Sequence, residues 1–441
     1  MAKAKSKKIM LEDAIVPVDE QPYHIPENWC WTRIKHVSDV VTGSTPSKKH
    51  AEYYGGDFPF FKPADLEAGD NVVEATEYLS EEGKNVSRII PKLSTAVCCI
   101  GSIGKTGLIR VEGTTNQQIN SMIPKINPLY LYYYSKSNVF IEELWNKSTA
   151  TTISLVNKKN METNTIPLAP LAEQKRIVEQ IESLFSKLDE AKEKAQEVID
   201  GYEARNAAVY NDAFSGRLTV QWRKDNYKEN KWETKRFDEV ADIKSNLVEP
   251  SNYLEFPHIA PDNIEKRTGI LLDYHTIAED GVKSRKHRFY AGQILYSKIR
   301  PYLSKVVMVD FDGLCSADMY PIEAKENTKY LLYYMLSDMF LEQASSAGSR
   351  SVLPKINQKE LSAIKVRITS DEEQKEVVRI LDYLLPMMQQ VRDKAVQVVD
   401  NIDAIKKSIL AKAFRGKLGT NIPEDESAME LLKIILNKGE C

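Results

Sequence analysis

The 441-residue sequence lacks the motifs that mark redox, metal-binding and membrane proteins. Its five cysteines form no CxxC pair, which argues against a zinc ribbon or a thioredoxin motif. Its six histidines include no HExxH motif, and no run of about 18 apolar residues predicts a membrane span. Residues 1–8 are rich in lysine, but Glu12 and Asp13 interrupt the stretch that follows, which indicates a basic tail and not a signal peptide. The sequence therefore predicts a soluble protein of the cytoplasm.

The chain also lacks a strong charge of either sign. Lysine and arginine number 60 against 63 aspartates and glutamates, and the net charge of −3 excludes a uniformly basic polymer binder but not a local basic face. Hydrophobic residues make up 42%, enough for real hydrophobic cores. The length predicts two to four domains.

A repeat with a period of about 200 residues runs through nearly the whole chain. Matching motifs stand 200 positions apart: Ala213–Leu218 and Ala413–Leu418, Glu173–Lys175 and Glu373–Lys375, and Tyr130–Tyr134 and Tyr330–Tyr334. One register held over this length predicts two copies of one unit, each a globular head followed by a helical part.

The two helical parts carry heptad patterns. Apolar or small residues recur in steps of three and four from Ile177 to Val209 and from Val377 to Ile409, which predicts a coiled coil of two antiparallel helices. Arg205 departs from the seam, and Pro386 is expected to kink or delay the second helix. A helix of this length spans roughly 48 Å, which is an upper limit on the distance at which it can hold the two heads apart.

We predict an α+β fold with two α/β heads, each containing short β-rich runs and a tyrosine-rich amphipathic stretch. The predicted segments are a basic tail (1–25), the first head (26–168), the first helical region (169–218), a linker (219–231), the second head (232–368), the second helical region (369–418) and a C-terminal tail (419–441).

Matching windows without a single acidic residue occur in both heads. They are residues 83–110 and 144–161 in the first head and residues 281–305 and 344–359 in the second. One such window is typical of an ordinary solvated loop, but four in matched pairs favour a polyanionic partner such as DNA.

Three segments resemble catalytic motifs, but each lacks a residue or a partner motif that the chemistry requires. Gly101–Thr106 resembles a phosphate-binding loop, but Cys99 stands where that loop requires glycine. Asn127–Tyr130 lacks the second proline of the Asn-Pro-Pro-Tyr motif of amino-methyltransferases, and Pro261–Asp262 has no nuclease partner motif nearby. The sequence thus favours a protein that binds DNA without catalysing a reaction.

These motifs together resemble the specificity subunit of type I restriction-modification systems. The resemblance covers roughly residues 26–418, and its most specific part is the entry and exit of each helix. The residues that carry it are Gly43–Pro46, Gly101–Lys105, Thr115–Gln118, Ile166–Ile177 and the two Ala-Phe-x-Gly-Arg/Lys-Leu endings. The second head departs from it, since Ser297–Pro301 stands where Gly101–Lys105 stands in the first.

The resemblance implies that each head is a target recognition domain that reads one half of an interrupted double-stranded DNA sequence. It implies that the helices fix the spacer and dock two methyltransferase subunits, which use S-adenosylmethionine to methylate adenine. Two motor-nuclease subunits, which use ATP and Mg²⁺, would complete this bacterial defence complex. The chain itself would be non-catalytic and would bind no cofactor.

We expect DNA contacts from basic and polar residues of both heads. The candidates are Ser44, Thr45, Lys84, Arg88, Ser102, Lys105, Thr106, Asn116, Gln117 and Lys158 in the first head, and Lys283, Arg285, Lys286, Arg288, Lys298, Arg300, Tyr302 and Arg350 in the second. Two alternatives stay open: an adenine methyltransferase that acts alone, and a coiled-coil scaffold without a role in DNA binding.

Overall fold

A computed structural model describes residues 10–149, 154–347 and 354–438. The strands of the first copy are β1 Cys30–Arg33, β2 Ser38–Thr42, β3 Tyr54–Phe61, β4 Glu77–Leu79, β5 Thr95–Cys98, β6 Thr106–Leu108, β7 Thr114–Thr115, β8 Ile119–Pro124 and β9 Thr165–Leu168. Its helices are α1 Leu11–Ala14, α2 Ile34–Val37, α3 Glu81–Asn85, α4 Pro128–Ser135, α5 Asn138–Asn146, α6 Lys158–Glu162, α7 Leu171–Asp200 and α8 Tyr202–Phe214.

The second copy repeats this order after a short helix, α9 Val220–Asp225, which forms within the predicted linker. Its strands are β10 Glu233–Arg236, β11 Ala241–Ile243, β12 Leu247–Val248, β13 Pro257–Ile259, β14 His275–Thr276, β15 Lys286–Phe289, β16 Ile294–Ser297, β17 Val306–Met308, β18 Gly313–Cys315, β19 Met319–Ala324 and β20 Lys365–Ile368. Its helices are α10 Phe237–Val240, α11 Ile277–Asp280, α12 Thr328–Leu336, α13 Asp338–Ala347, α14 Gln358–Ser362, α15 Asp371–Ala413 and α16 Ala428–Lys438.

The chain divides into two compact units that exchange the ends of their long helices. One unit contains residues up to 193 and from 398 onward, and the other contains residues 194–397. Each unit therefore combines one head, the start of the helix that follows it and the end of the other helical region. The α+β fold predicted from the repeat is confirmed.

Two of the three sheets match between the heads. Each head closes its ends with an antiparallel pair, β1 with β9 and β10 with β20, and holds a four-stranded sheet in the order β2-β8-β5-β6 or β11-β19-β16-β17. The third sheet is β4-β3-β7 in the first head and β12-β15-β18-β13-β14 in the second. Within the described residues, the third sheet of the second head thus has two more strands than that of the first.

The long helices pair antiparallel within each unit, as the heptads predict. In the first unit the Nζ of Lys406 lies 2.5 Å from a carboxylate oxygen of Asp189 and 5.1 Å from the ring centre of Phe185. In the second unit the Tyr202 hydroxyl donates to Gln389 at 2.5 Å. In each unit the beginning of one helical region therefore contacts the end of the other, as antiparallel pairing requires.

The structure corrects three details of the helix prediction. The first helical region is interrupted at Gly201 between α7 and α8. Pro386 does not delay α15, which already begins at Asp371, and a kink at the proline stays a prediction. The predicted seam positions Val398 and Ile405 are exposed, because the buried stripe passes through Ala395 and Ile402.

The phenylalanine of each Ala-Phe-x-Gly-Arg/Lys-Leu motif packs against a head at the end of its helix. Phe414 packs edge-on against Tyr130 and Tyr134, with ring centres 5.2 and 5.0 Å apart. In the other unit Phe214 packs in the same way against the tyrosines of α12. Because the head covers one side of α4 and the phenylalanine the other, all residues from Tyr130 to Ser135 are buried, and the amphipathic stretch predicted there is wrong.

The glycine of the same motif permits the sharp end of each helix. Gly216 and Gly416 have φ of +80° and +67°, in the region that side chains disfavour. A β-carbon on Gly216 would also lie 2.7 Å from the indole nitrogen of Trp232. Within the described residues, every helix is too short or too polar to cross a membrane.

The Glu-Gln pair at the start of each long helix ties three segments together. Gln174 is fully buried; its side chain accepts from the N–H of Asn127 at 3.1 Å and donates to the carbonyl of Ala169 at 2.8 Å. Gln374 makes the same two contacts in the second unit. The entry motif of the repeat therefore fixes each long helix to α4 or α12 and to the strand end before it.

Candidate nucleic-acid interface

The two acid-free windows of the first head, which are far apart in sequence, lie side by side. Ile100 follows β5 and forms an antiparallel β-bridge with Leu155. Next to it the N–H of Val156 donates to the carbonyl of Cys99 at 2.9 Å. The described parts of the two windows therefore lie against each other beside the β5–β6 turn.

The second head joins its two windows through the same contacts. Ile299 forms a β-bridge with Lys355, and the N–H of Ile356 donates to the carbonyl of Lys298 at 2.9 Å. Arg350, a predicted DNA contact, lies outside the described residues. The repeat thus places an equivalent surface on each head.

Several cations of these windows have carboxylate partners from other parts of the head. The pairs, with their N–O distances, are Lys84–Glu112 (3.5 Å), Lys105–Glu67 (2.6 Å), Lys158–Glu162 (3.5 Å), Arg285–Glu249 (3.2 Å), Lys305–Asp262 (3.4 Å) and Lys355–Asp318 (3.0 Å). A window without acids in the sequence is therefore not free of acids in space, which weakens the charge argument for these residues.

Other cations of the windows form no ion pair within the described part of the chain. Lys283 and Arg300 are exposed, and Arg88 is exposed with one guanidinium nitrogen 2.7 Å from the carbonyl of Thr42. Lys298 is half-buried, and burial followed by the nearby charge of Lys355 lowers its pKa. Among the described residues these side chains have no carboxylate partner, so a contact with an external acceptor, such as a phosphate or a base edge, would cost no ion pair.

Two predicted cations of β15 are held inside the head. Lys286 is buried and its Nζ lies 2.7 Å from the hydroxyl of Ser284. The guanidinium of Arg288 lies over the rings of Tyr253 and Tyr290, at 5.4 and 4.9 Å from their centres. Its Nε is buried without an acceptor among the described residues. Arg288 is therefore held in place by aromatic contacts and leaves part of its donor capacity unused.

The polar candidates of the first head divide into exposed and buried groups. Ser102 is exposed, Thr45 and Gln117 are exposed and bond to each other, and Ser44 is half-buried. Thr106 and Asn116 are buried. Their side chains bond internally, the hydroxyl of Thr106 to the carbonyl of Gly104 at 3.0 Å and the amide of Asn116 to Gln118 at 3.0 Å. A DNA contact by these two residues requires those bonds to open.

A histidine–carboxylate cluster in the second head was not found from the sequence. Asp280 lies 2.6 Å from Nδ1 of His258 and 3.2 Å from Nδ1 of His275. The hydrogen bond with His258 lowers the pKa of Asp280. Only the pairing of β13 with β14, which places His258 opposite His275, brings these residues together, and no local sequence motif signals it.

Among the described residues, no group of three or more histidine, cysteine, aspartate or glutamate side chains has an arrangement that could hold a metal ion. Cys30, Cys98, Cys99 and Cys315 are buried and unpaired, and burial raises the pKa of the Cys99 thiol to about 12. Asn127, tested above as part of a methyltransferase motif, caps α4 by accepting from the N–H groups of Leu129 and Tyr130 at 3.0 and 3.1 Å. Helix capping explains that motif.

The chain is similar to known specificity subunits along most of its length. The family model for the type I restriction modification DNA specificity domain matches twice, at residues 26–199 and 229–394. The specificity subunit of the type I restriction enzyme EcoDI from Escherichia coli is 39% identical over 422 residues, which cover 89% of each chain. The MjaIX specificity subunit from Methanocaldococcus jannaschii is 24% identical and covers 89% of this chain and 94% of its own.

Solved structures show the same fold. The crystal structure of the HsdS subunit from Thermoanaerobacter tengcongensis is similar with a TM-score of 0.67 at 17% identity and covers 91% of this chain and 100% of its own. The domain model matches twice, as the internal repeat predicts. The relative with 39% identity over nearly the full length and the shared fold agree with the contacts of the helices. This chain belongs to the family of type I restriction-modification DNA specificity subunits.

Proposed function

We propose that this chain reads an interrupted DNA sequence, with one half-site for each head. The observation that supports it most directly is the joining of two distant windows in both heads, through the bridges Ile100–Leu155 and Ile299–Lys355. Each joined surface exposes cations without carboxylate partners in the described residues, such as Arg88, Lys283 and Arg300. A surface of this kind, present once per repeat, suits a duplex contacted at two places.

Cations without a carboxylate partner in the described residues set the register, and polar side chains read the bases. Arg88, Lys283 and Lys298 contact phosphates, and each contact releases counterions, so affinity falls as salt rises. Thr45, Ser102 and Gln117 carry donors and acceptors that suit base edges in the grooves. Thr106 and Asn116 contribute only after their internal bonds open. Lys84, Lys105, Lys158 and Arg285 exchange a carboxylate partner for phosphate.

The chemistry of methylation and cleavage belongs to partner subunits. The chain docks two methyltransferase subunits, which bind S-adenosylmethionine, and two motor-nuclease subunits, which bind ATP and Mg²⁺. It is itself non-catalytic, in keeping with the capping role of Asn127 and the buried thiols. Its place is the cytoplasm, where the chromosomal target lies.

The experiment is to map adenine methylation across the genome in cells with and without this chain, leaving the methyltransferase subunit expressed. We expect one interrupted two-part motif to be methylated only when the chain is present, because the chain selects the target. The motif then names both half-sites and the spacer. An unchanged methylation pattern with an active methyltransferase would overturn the proposal.

Two controls separate the alternative functions. A methyltransferase that acts alone would bind S-adenosylmethionine as the purified chain, and we expect no such binding. A scaffold without a DNA role would show no salt-dependent affinity for DNA in complex with the methyltransferase. We expect that complex to lose affinity steeply as salt rises.

A further inference from the structure

The turn that leads to the last edge strand of the four-stranded sheet is equivalent in both heads but differs in chemistry. It joins β5 to β6 in the first head and β16 to β17 in the second, and both pairs of strands are antiparallel. The first turn contains Gly101 and Gly104, with φ of +79° and +88°. The second contains Arg300 and Ser304, with φ of +49° and +45°. The second head keeps a left-handed backbone in this turn without using glycine.

Left-handed backbone is disfavoured for residues with a β-carbon, so each of the two residues calls for a reason. Ser304 has a structural one, because it is buried and its hydroxyl lies 3.4 Å from the carbonyl of Met335. The backbone of Arg300 is anchored by a 2.7 Å hydrogen bond from its N–H to the carbonyl of Pro354. Its exposed guanidinium makes no hydrogen bond or ion pair within the described residues.

The equivalent position in the first head faces open space. A β-carbon built on Gly101 would have no neighbouring atom within 4 Å, apart from its own chain neighbours. Packing therefore does not exclude a side chain at this place in either head. The turn is also stiffened in the second head, where the buried Pro301 begins a short helical turn that exposes Tyr302.

We propose that Arg300 reads a guanine in the half-site that the second head recognises. This inference rests on the proposed function and names one of its specificity-determining residues. The guanidinium fork matches O6 and N7 of guanine in the major groove with two parallel hydrogen bonds. The strained but anchored backbone fixes the position from which the Arg300 side chain extends.

The difference between the heads favours a base contact over a phosphate contact. The phosphate backbone is the same at both half-sites, so a phosphate contact would be equally useful in the turn of either head. The base sequence is what distinguishes two half-sites. An arginine at this point in one head and a glycine in the other fits a contact with a base.

The test replaces Arg300 in the full chain, co-expressed with its methyltransferase subunit, and maps adenine methylation. For Arg300→Gly we expect an unchanged or higher melting temperature, because glycine relaxes the left-handed backbone. We expect one guanine position of one half-site to become degenerate, with a loss of discrimination of about tenfold to a hundredfold. The other half-site stays unchanged.

Two further variants sharpen the result. Arg300→Lys keeps the charge but loses the fork, so we expect it to relax the same position. Ser304→Gly removes a left-handed residue from the same turn without altering the exposed surface, and we expect it to leave the motif intact. An equal loss of methylation on all sequences, or an intact motif in Arg300→Gly, overturns the inference. If the wild-type chain directs no interrupted motif at all, it is the proposed function that fails.

Discussion

A buried carboxylate at the start of each long helix connects residues that are far apart in sequence. In the second unit Glu373 is almost fully buried, forms an ion pair with Arg223 and accepts hydrogen bonds from Thr219 and the indole of Trp232. In the first unit Glu173 accepts from Trp29 at 2.7 Å and from Asn421 at 2.9 Å. No ion pair of Glu173 occurs in the described part of the first unit, so the two sites share their geometry but differ in charge.

Replacing these carboxylates by amides should therefore have unequal effects. Glu373→Gln leaves the guanidinium of Arg223 without a carboxylate in a largely buried place, which should lower the free energy of unfolding by about 3–5 kcal/mol. Glu173→Gln only weakens hydrogen bonds and should cost about 1–2 kcal/mol. Urea unfolding of both variants measures the difference. Equal losses would show that the ion pair contributes nothing beyond its hydrogen bonds.

Glu373 also makes the stability of the protein depend on pH. Burial alone would raise the pKa of Glu373, but hydrogen bonds from Thr219, Thr369, Trp232 and Arg223 outweigh it and hold the pKa below its usual value. The stabilisation is therefore present above about pH 4.3, the usual pKa of glutamate, and is lost as the pH falls through the lower folded-state pKa.

Urea midpoints between pH 7 and pH 3 test this dependence. The difference in urea midpoint between wild type and Glu373→Gln should become smaller toward pH 3, because the protonated side chain of Glu373 is uncharged like the amide. A difference that stays constant down to pH 3 would contradict the assignment.

The sequence singled out residues of structural importance where the same motif occurs in both copies of the repeat. Glu173 and Glu373 were visible at an offset of 200, and so were the phenylalanines of the two exit motifs. The partner of Lys105 was not, because Glu67 lies 38 positions away and meets it only after the head has folded. A window of sequence without acids therefore does not predict which of its cations lack a carboxylate partner in the folded chain.

At the scale of elements, α15 shows how far tertiary contacts override a local signal. Pro386 lies within a helix of 43 residues and removes one backbone hydrogen bond from it. The helix nevertheless continues, because its buried stripe packs on either side of the proline, at Leu381 and Ala395. The heptads predicted the helix and its direction, whereas the exposed Val398 and Ile405 depend on how its partner is placed.

Restoring the backbone hydrogen bond that Pro386 removes from α15 should stabilise the protein. Pro386 is exposed, so Pro386→Ala changes no core packing and should raise the free energy of unfolding by about 1–3 kcal/mol. Ser186 occupies the matching exposed position of α7, and Ser186→Ala, as the control, should gain no more than about 0.5 kcal/mol. Urea midpoints of the two variants, each compared with wild type, measure the two changes in stability. A loss of stability in Pro386→Ala would mean that the helix is shaped around the proline.

The sheets of the second head were less predictable than the helices. The strands β12 and β15 extend the third sheet of that head beyond β18, although the 200-residue repeat does not predict them. Val248 lies opposite Lys286 in this addition, and Leu247 lies opposite His287. Strand pairing between segments about 40 residues apart depends on burial that a local pattern does not encode. The two heads therefore share a framework but present different surfaces.

At the scale of the whole molecule, segments distant in sequence complete each unit. The first head is completed by the end of α15 and by the tail, where α16 packs on α1 and α2 and buries Ala428, Leu432 and Ile435. The corresponding place in the second unit is filled by residues that follow α8, with Thr219 bound to Glu373 as Thr420 is bound to Glu173. The tail is thus a part of the first unit's core.

Deleting residues 420–441 should therefore destabilise the first unit selectively. The deletion removes the contacts of Thr420 and Asn421 with Glu173, the ion pair of Asp425 with Arg176 and the buried side chains of α16. At about 1.5–3 kcal/mol for each large buried side chain, the loss from Leu432 and Ile435 alone should be about 3–6 kcal/mol. Amide hydrogen exchange should rise in α2 and at the start of α7, and stay unchanged in β16 and α12 of the second unit. Leu432→Ala should reproduce part of the effect. A rise of equal size in both units would show instead that they unfold as a single cooperative body.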